Sequence, residues 1–315
     1  MSELKILITG VSGFIGRSLV EEIVHRNLSW EIFGIDIKEP VFNDSKYREF
    51  FEFSQVDIRD ENAVKRYFES NHFDGVIHLA AISRVVDAEK NKTNCVQTNY
   101  LGTKYIVENL EKQSKTWMIF GSSREVYGEQ TTFPVIESAK TSPINIYGEC
   151  KLKGELLVSE RITNHIILRF CNVYGNSYDI EGRVIPSFVR KALQNEPLQL
   201  EGGDQIIDFT HINDTVDTII SSIELLIKNG NVQEVSHVSP GKGCHIRELV
   251  SIIEKHIGHS CKIIQTPPRS YDVQQFVGDN TKREQLFGKR QLISIEEGVS
   301  RMFGSISPSP TKSCD

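Results

Sequence analysis

Three observations predict an α/β fold built on a doubly wound parallel sheet. Short apolar runs alternate with stretches of helical periodicity through the first half of the chain. A glycine-rich turn, Thr9-Gly10-Val11-Ser12-Gly13-Phe14-Ile15-Gly16, separates the first apolar run from the first helical stretch. An acid, Asp36, closes the second run 20 residues past Gly16. Strands alternating with helices at this spacing give a sheet covered on both faces, and the glycine turn makes that sheet Rossmann-type.

The elements follow in order. Residues 5–9 (KILIT) read as the first strand, and 14–25 as a helix with Ile15, Leu19, Val20 and Ile23 on one side. Residues 31–36 form a second strand, and helical 63–69 leads to a third at 75–79. Residues 98–110 read as a helix, 116–120 as a strand, 143–161 as a segment containing a helix, and 165–170 as a strand. Beyond Val173-Tyr174-Gly175 the punctuation thickens, with Gly182, Pro186, Pro197, Gly202 and Gly203. A strand at 206–211 and a helix at 213–228 come next. They are followed by a helix at 245–257, a strand at 262–265, and helical stretches at 281–287 and 294–303. The expected division is a dinucleotide-binding domain of residues 1–174, to which 206–230 return, and a smaller, mostly C-terminal α/β substrate domain of 175–205 and 231–304. The polar, Pro-containing residues 305–315 are expected to form a flexible tail.

Composition narrows the classes of function. The 315 residues carry a net charge of −6 with no clustered Lys and Arg, which argues against a nucleic-acid partner. The cysteines, Cys95, Cys150, Cys171, Cys244, Cys261 and Cys314, form no C-x-x-C pair and are too sparse for a disulfide scaffold. Free thiols in a reducing cytoplasm are the expectation. The first residues run straight into a strand without the pattern of a secretion signal, and no apolar run approaches the ~18 residues of a membrane span, so a cytoplasmic protein without a membrane partner is expected. No His, Asp and Glu set has metal-ligand spacing, and His78 and His211 read as structural.

Each glycine of the opening turn has a physical task. Gly10 permits the tight turn, Gly13 lets backbone approach a pyrophosphate, and Gly16 lets the helix pack near the sheet, while the helix N-terminus faces the anion. Phe14 and Ile15 open that helix. Asp36 stands where an acid accepts hydrogen bonds from the adenosine ribose, and its charge repels a 2′-phosphate, which selects NAD over NADP. Further along, Tyr147 and Lys151 are four apart and share a helix face. A phenol titrates near pH ~10, and a nearby ammonium favours the phenolate that can take a proton from a hydroxyl. Tyr100 and Lys104 repeat the spacing, but Tyr100 reads as a packing residue.

Several segments stand in a specific order: Val56-Asp57-Ile58, His78-Leu79-Ala80-Ala81, Thr98-Asn99-Tyr100-Leu101-Gly102-Thr103, Ser122-Ser123-Arg124-Glu125-Val126-Tyr127-Gly128, Tyr147-x-x-x-Lys151 and Arg169-Phe170-Cys171-Asn172-Val173-Tyr174-Gly175. With the glycine turn, this order resembles the extended short-chain dehydrogenase/reductase family in its nucleotide-sugar epimerase/dehydratase branch, over nearly the whole chain. The resemblance implies tightly bound NAD, recycled in each turnover. It implies that Asp57 and Ile58 flank the adenine, that Leu79, Ala80 and Ala81 line the cofactor cleft, and that Asn99 lies on the long helix behind it. Tyr147 acts as the base in this reading, Lys151 also binds the nicotinamide ribose, and Ser123 hydrogen-bonds the reacting sugar oxygen. On the substrate side, Ser83 and Asn172 contact the sugar or phosphate. Leu200, in Pro197-Leu198-Gln199-Leu200, belongs to a strand that holds a pyrimidine base, Arg269 binds phosphate and Asp272 binds ribose. The resemblance also implies a homodimer through a four-helix bundle of the 98–110 and 143–161 helices.

Two departures matter. Family dehydratases resemble S-T-D-E-V-Y-G, and here Arg124 replaces the aspartate while Glu125 remains. Relatives also carry Arg-Asp-Phe or Arg-Asp-Tyr where Ile207-Asp208-Phe209 stands, so one diphosphate cation is replaced, with Arg183 and Arg190 as candidates. The retained Glu125, beside Arg124 in the catalytic set, leads to the first expectation. This is a UDP-hexose dehydratase, acting on a sugar such as UDP-N-acetylglucosamine by transient oxidation at carbon 4 and loss of water across carbons 5 and 6. The alternatives are a UDP-glucose or UDP-N-acetylglucosamine 4-epimerase, a UDP-uronic acid decarboxylase, and a non-catalytic NAD-dependent sensor.

Overall fold

The structure, a computed structural model, describes residues 4–306. Six strands arise before residue 171: β1 (Leu4–Thr9), β2 (Trp30–Asp36), β3 (Phe51–Gln55), β4 (Gly75–His78), β5 (Trp117–Ser123) and β6 (His165–Phe170). With Gln233–Val238 they form one seven-stranded parallel sheet, ordered Gln233–Val238, β6, β5, β4, β1, β2, β3. This is the order of a doubly wound dinucleotide-binding sheet with one strand added beyond β6.

Strand alternation divides the core between the two faces. Ile6 and Ile8 point to one face and pack with Leu19 and Ile23 of the helix Phe14–His25 and with Ile219 and Ile223 of the helix Ile212–Asn229. Leu7 points to the other, among Val64, Phe68, Ile106 and Val158 from three further helices. Both faces of β5 are covered, and all seven of its residues are buried.

The structure corrects several expectations. β3 was not anticipated: it is an edge strand with only Phe51 fully buried, so its apolar signal is short. The helix expected at 98–110 begins at Lys92 and carries a π-helical stretch, Val96–Gly102, before continuing as Thr103–Leu110. The strand expected at 206–211 is two strands. Ile206–Asp208 pairs with Gly243–His245 and Gln275–Phe276, whereas Thr210–His211 pairs with Val173–Tyr174. A helix at Val184–Leu193 was also not foreseen.

The domain division also shifts. Residues 231–304 were assigned to the substrate part, but Gln233–Val238 pairs with β6 in register from Gln233↔His165 to Val238↔Phe170. The helix Ile212–Asn229 ends at Gly230, whose φ of +65° turns the chain back toward the sheet, so this strand completes a crossover. The helix Ile295–Ile306 takes in the first two residues of the expected tail, and residues 307–315 lie outside those described. A separate core made by Phe188, Leu198, Leu200, Leu249, Val299 and Met302 supports the smaller part. Among the described residues no helix is long and apolar enough to cross a membrane.

Candidate active site

The strand order reverses between β1 and β4, and the cleft that opens there is where such sheets bind ligands. β1 runs out at Thr9 into Gly10, which has φ +73°. A Cβ on Gly10 would lie 2.7 Å from the Ala80 nitrogen, so glycine is needed both for the turn and for its contact with the end of β4. Gly13 caps the helix Phe14–His25 with extended backbone and no side chain, leaving the first helical amides to face the cleft. A Cβ on Gly16 would stand 2.4 Å from the Gly10 carbonyl oxygen, so the helix packs against the turn itself.

Asp36 reaches back to this turn. Its Oδ2 accepts from the Ser12 amide at 3.0 Å and its Oδ1 from the Ile37 amide at 2.7 Å. Asp57 also lines the cleft and is held by Arg59, whose Nη2 donates to Oδ2 at 2.6 Å. Phe14, Ile15, Ile58, Leu79, Ala80 and Ala81 line the same cavity. Asn99 does not. It is buried behind the cavity, where its Oδ1 accepts from the Ile82 amide at 2.8 Å and its Nδ2 donates to the Ile82 carbonyl at 3.0 Å. Asn99 therefore holds the loop after β4 in place.

At the other end of the cleft the helix Ile146–Arg161 begins, capped by Asn145, whose Oδ1 accepts from the Gly148 amide at 2.8 Å. Tyr147 and Lys151 both turn inward and line the cavity with Ser123 from the end of β5. The Lys151 Nζ donates to the Gly121 carbonyl at 2.6 Å and stands 5.9 Å from the centroid of the Tyr147 ring. Burial pushes the Tyr147 phenol up to about 12, against the nearby Ser123 hydroxyl and the charge of Arg183, both of which pull it down. Burial lowers the Lys151 ammonium to about 8. In the protein alone, desolvation of Tyr147 outweighs the neighbouring charges. Tyr100, the tyrosine of the repeated spacing, lies outside the cavity with the Lys153 ammonium 5.7 Å from its ring centroid.

Glu125 lines the cavity but is not a free carboxylate. Its Oε1 lies 2.9 Å from Arg124 Nη2, and its Oε2 accepts from Asn145 Nδ2 at 2.8 Å. Arg124 also donates through Nε to Asn172 Oδ1 at 2.8 Å. Arg124, Glu125 and Asn145 are buried and Asn172 is half-buried. The sequence singled out Arg124, Glu125 and Asn172 but missed Asn145. Its signal was available as a helix-capping Asn directly before the first helical residue.

The substrate end is assembled from distant segments. Ser83, Asn172, Arg183, Arg269 and Asp272 all line the cavity, whose volume is about 780 Å³. Arg183 bridges elements, with Nη2 3.2 Å from Ser83 Oγ and Nη1 3.2 Å from the Val173 carbonyl oxygen. Ile207 faces the cavity from the place where a cation was expected. Of the two replacement candidates, Arg183 is at the cavity wall and Arg190 is not. Arg269 is ion-paired with Glu201, and its Nε is 3.8 Å from Asp272 Oδ2. Leu200 has its side chain buried in the smaller core, because the alternation of the strand Leu198–Glu201 sends Leu198 and Leu200 inward and Gln199 and Glu201 to the cavity.

One cleft thus joins a glycine cradle for a dinucleotide to a Ser-Tyr-Lys set at the carboxyl end of the sheet's strands, and that is the make of an extended short-chain dehydrogenase/reductase. The chain belongs to the NAD dependent epimerase/dehydratase family, whose model matches residues 6–234. It is 31% identical to a relative from Methanocaldococcus jannaschii provisionally named a UDP-glucose 4-epimerase, over 94% of this chain and 96% of that one. Among solved structures it is similar to UDP-glucose 4-epimerase of Thermotoga maritima with UDP-glucose, at 26% identity and a TM-score of 0.86 over 96% of this chain and 98% of that one. The same figures hold for UDP-glucuronic acid 4-epimerase of Bacillus cereus, solved with UDP-glucuronic acid and NAD. The cofactor is NAD. The protein is an enzyme, an epimerase or a dehydratase.

Proposed function

We propose that the chain is a UDP-hexose 4-epimerase with permanently bound NAD, rather than the dehydratase first expected. The observation that carries this reading is the state of Glu125. Elimination across carbons 5 and 6 needs a carboxylate free to take the carbon 5 proton, and both Glu125 oxygens are engaged by Arg124 and Asn145. Epimerisation at carbon 4 asks only for proton and hydride transfer and for room to turn the keto sugar. The named 4-epimerases among the relatives support the same choice.

The residues divide the work as follows. Tyr147 takes the proton of the sugar 4-hydroxyl, and Ser123, beside it on the cavity wall, orients the reacting oxygen. NAD, when bound, would accept the hydride of carbon 4 and give it back to the ketone, and its positive ring would favour the phenolate. Lys151, fixed on the Gly121 carbonyl, holds the nicotinamide ribose. The amides at the start of the helix Phe14–His25 bind the cofactor pyrophosphate, and Asp36 binds its ribose. Arg183 takes the place of the cation missing at Ile207, while Arg269 and Asp272 receive the nucleotide's phosphate and ribose. Tyr147 returns the proton after the ketone presents its other face.

The test is to incubate the purified protein with UDP-galactose and, separately, UDP-N-acetylglucosamine, following the products by NMR. Interconversion at carbon 4 is the expected result. Loss of water, or no reaction at carbon 4 with either sugar, would overturn the reading.

A homodimer belongs to the same proposal. The helix Ile146–Arg161 packs beside Val96–Gly102 and Thr103–Leu110 and leaves Leu156 63% exposed. Light scattering of the purified protein at the mass of two chains is the expected outcome.

A further inference from the structure

We infer that Arg124 is a positioning and specificity-determining residue: it holds Glu125 away from acid–base work and so confines the reaction to carbon 4. The inference rests on the transient carbon 4 ketone of the proposed epimerisation. A ketone there acidifies the hydrogen on carbon 5. A nearby carboxylate can take that proton, leaving the electron pair of the broken C5–H bond in the enolate of the ketone. The same proton, or one from solvent, then returns to carbon 5. Where a hydroxyl stands on carbon 6, the enolate can instead form a C5–C6 double bond and expel the hydroxyl as water, with the proton that the carboxylic acid has just gained.

Glu125 is placed for this side reaction. It lines the cavity with Ser123 and Tyr147, and its charge is felt at the Tyr147 phenol. Reaching a substrate hydrogen would require one oxygen to leave a donor. Oε1 would leave Arg124 Nη2 at 2.9 Å, and Oε2 would leave Asn145 Nδ2 at 2.8 Å. Neither donor can follow. Arg124 is anchored through Nε to Asn172 Oδ1 at 2.8 Å, and its guanidinium lies 5.8 Å from the Phe276 ring centroid. Asn145 is fixed as the cap of the helix Ile146–Arg161 and also donates to the Tyr271 carbonyl at 3.2 Å. A charge-assisted pair fixed at both ends and shielded from water is costly to open.

The test uses holoenzyme in deuterium oxide with two probes: UDP-galactose, and a UDP-4-ketopentose that presents the ketone ready-made. The wild type is expected to leave carbon 5 protonated with both. Arg124→Gln is expected to incorporate deuterium at carbon 5 about a hundredfold faster, the low end of what a freed general base contributes. Asn145→Asp keeps a helix cap but removes the donor to Oε2, and is expected to raise exchange in the same direction. Adding Glu125→Gln to either variant should return exchange to the wild-type level, which a merely structural role for Arg124 does not predict. The inference is overturned if the wild type exchanges carbon 5 with the ketopentose, or if both single variants bind it without exchange. Failure of the epimerase reading would show separately, as no change at carbon 4 of UDP-galactose, because the ketopentose arm needs no oxidation.

Discussion

The Oδ2 of Asp36 accepts a hydrogen bond from the Ser12 amide at 3.0 Å, so the acid that ends β2 also fastens the glycine turn after β1. Under the proposed function this one residue has two tasks, holding the adenosine ribose and keeping the pyrophosphate cradle in shape. Asp36→Ala should lose both. Bonds to a charged partner contribute roughly 1.5–3 kcal/mol each, so NAD affinity should fall by one to two orders of magnitude. Discrimination against NADP should narrow as the repelling charge is removed. Calorimetric titration of cofactor-stripped protein with both dinucleotides measures this, and unchanged NAD affinity would count against the assignment.

Gly16 is required by contact rather than by an unusual dihedral angle. A methyl group there meets the Gly10 carbonyl oxygen at 2.4 Å and the Val11 Cα at 2.8 Å, both backbone atoms that cannot rotate away. Gly16→Ala should cost roughly 1–3 kcal/mol of stability by overpacking and displace the helix that binds the pyrophosphate. A lowered denaturation midpoint together with loss of co-purifying cofactor is expected. A normal midpoint with full cofactor would show that the helix can move without consequence.

Tyr147 is the proposed proton carrier, and its hydroxyl is the only group that Tyr147→Phe removes. Turnover should fall by about 10²–10⁴, the usual range for a positioned acid–base group, with cofactor retained. Rapid-quench turnover beside absorbance of the bound NAD separates the two effects. Retention of more than about a tenth of the wild-type rate would contradict the base role by that range.

Arg169 and Glu155 form a buried bidentate pair behind the site, with Nε to Oε1 at 2.9 Å and Nη2 to Oε2 at 2.6 Å. Tyr127, which receives Arg169 Nη1 at 2.6 Å, also hydrogen-bonds His237 at 2.6 Å, so the pair ties β6 to the added edge strand. Removing one partner leaves a buried charge, at about 3–5 kcal/mol. Arg169→Met should therefore destabilise strongly, and the double variant Arg169→Met with Glu155→Leu should recover much of the loss. Urea denaturation of the three proteins gives the comparison. Equal destabilisation of single and double variants would mean that packing, and not the stranded charge, is at stake.

His78 is fully buried between Thr9 Oγ1 at 2.7 Å and Thr103 Oγ1 at 2.9 Å, and burial lowers its pKa to about 3. The unfolded chain binds the proton near pH ~6.5 and the folded chain does not. The stability His78 contributes is thus complete above that pH and is lost as pH falls toward 3. Asp208 works in the opposite sense, because burial raises it to about 6, so its contribution is complete below the ordinary carboxylate range and lost as pH rises through 6. Ring-nitrogen NMR should show His78 neutral at pH ~5, well below the ordinary histidine value. Titration near pH ~6.5 would refute the burial argument.

Much of the first half was legible because local chemistry and burial agree there. The helix Phe14–His25 and the strand β6 lie where their periodicity predicts, and Tyr147 was separable from Tyr100 by its sequence context. Legibility fails where neighbours decide. β3 is an edge strand with little to bury, and the break between Asp208 and Thr210 exists because the two sides pair with different strands. Leu200 belongs to a ligand-binding segment by resemblance, but the side chains reaching the cavity from that strand are Gln199 and Glu201.

By itself the sequence determined the parallel sheet, the dinucleotide turn and the identity of the Ser123, Tyr147 and Lys151 set. Each depends on residue type at short separations, where backbone geometry does the placing. Only the tertiary structure shows what surrounds Glu125. The same carboxylate reads as an elimination base in the sequence and becomes half of a fixed pair once Asn145 and Asn172, brought in by other elements, immobilise it and Arg124. Charge and hydrogen bonding act through space, and a residue's chemistry is set by the donors that the fold brings to it.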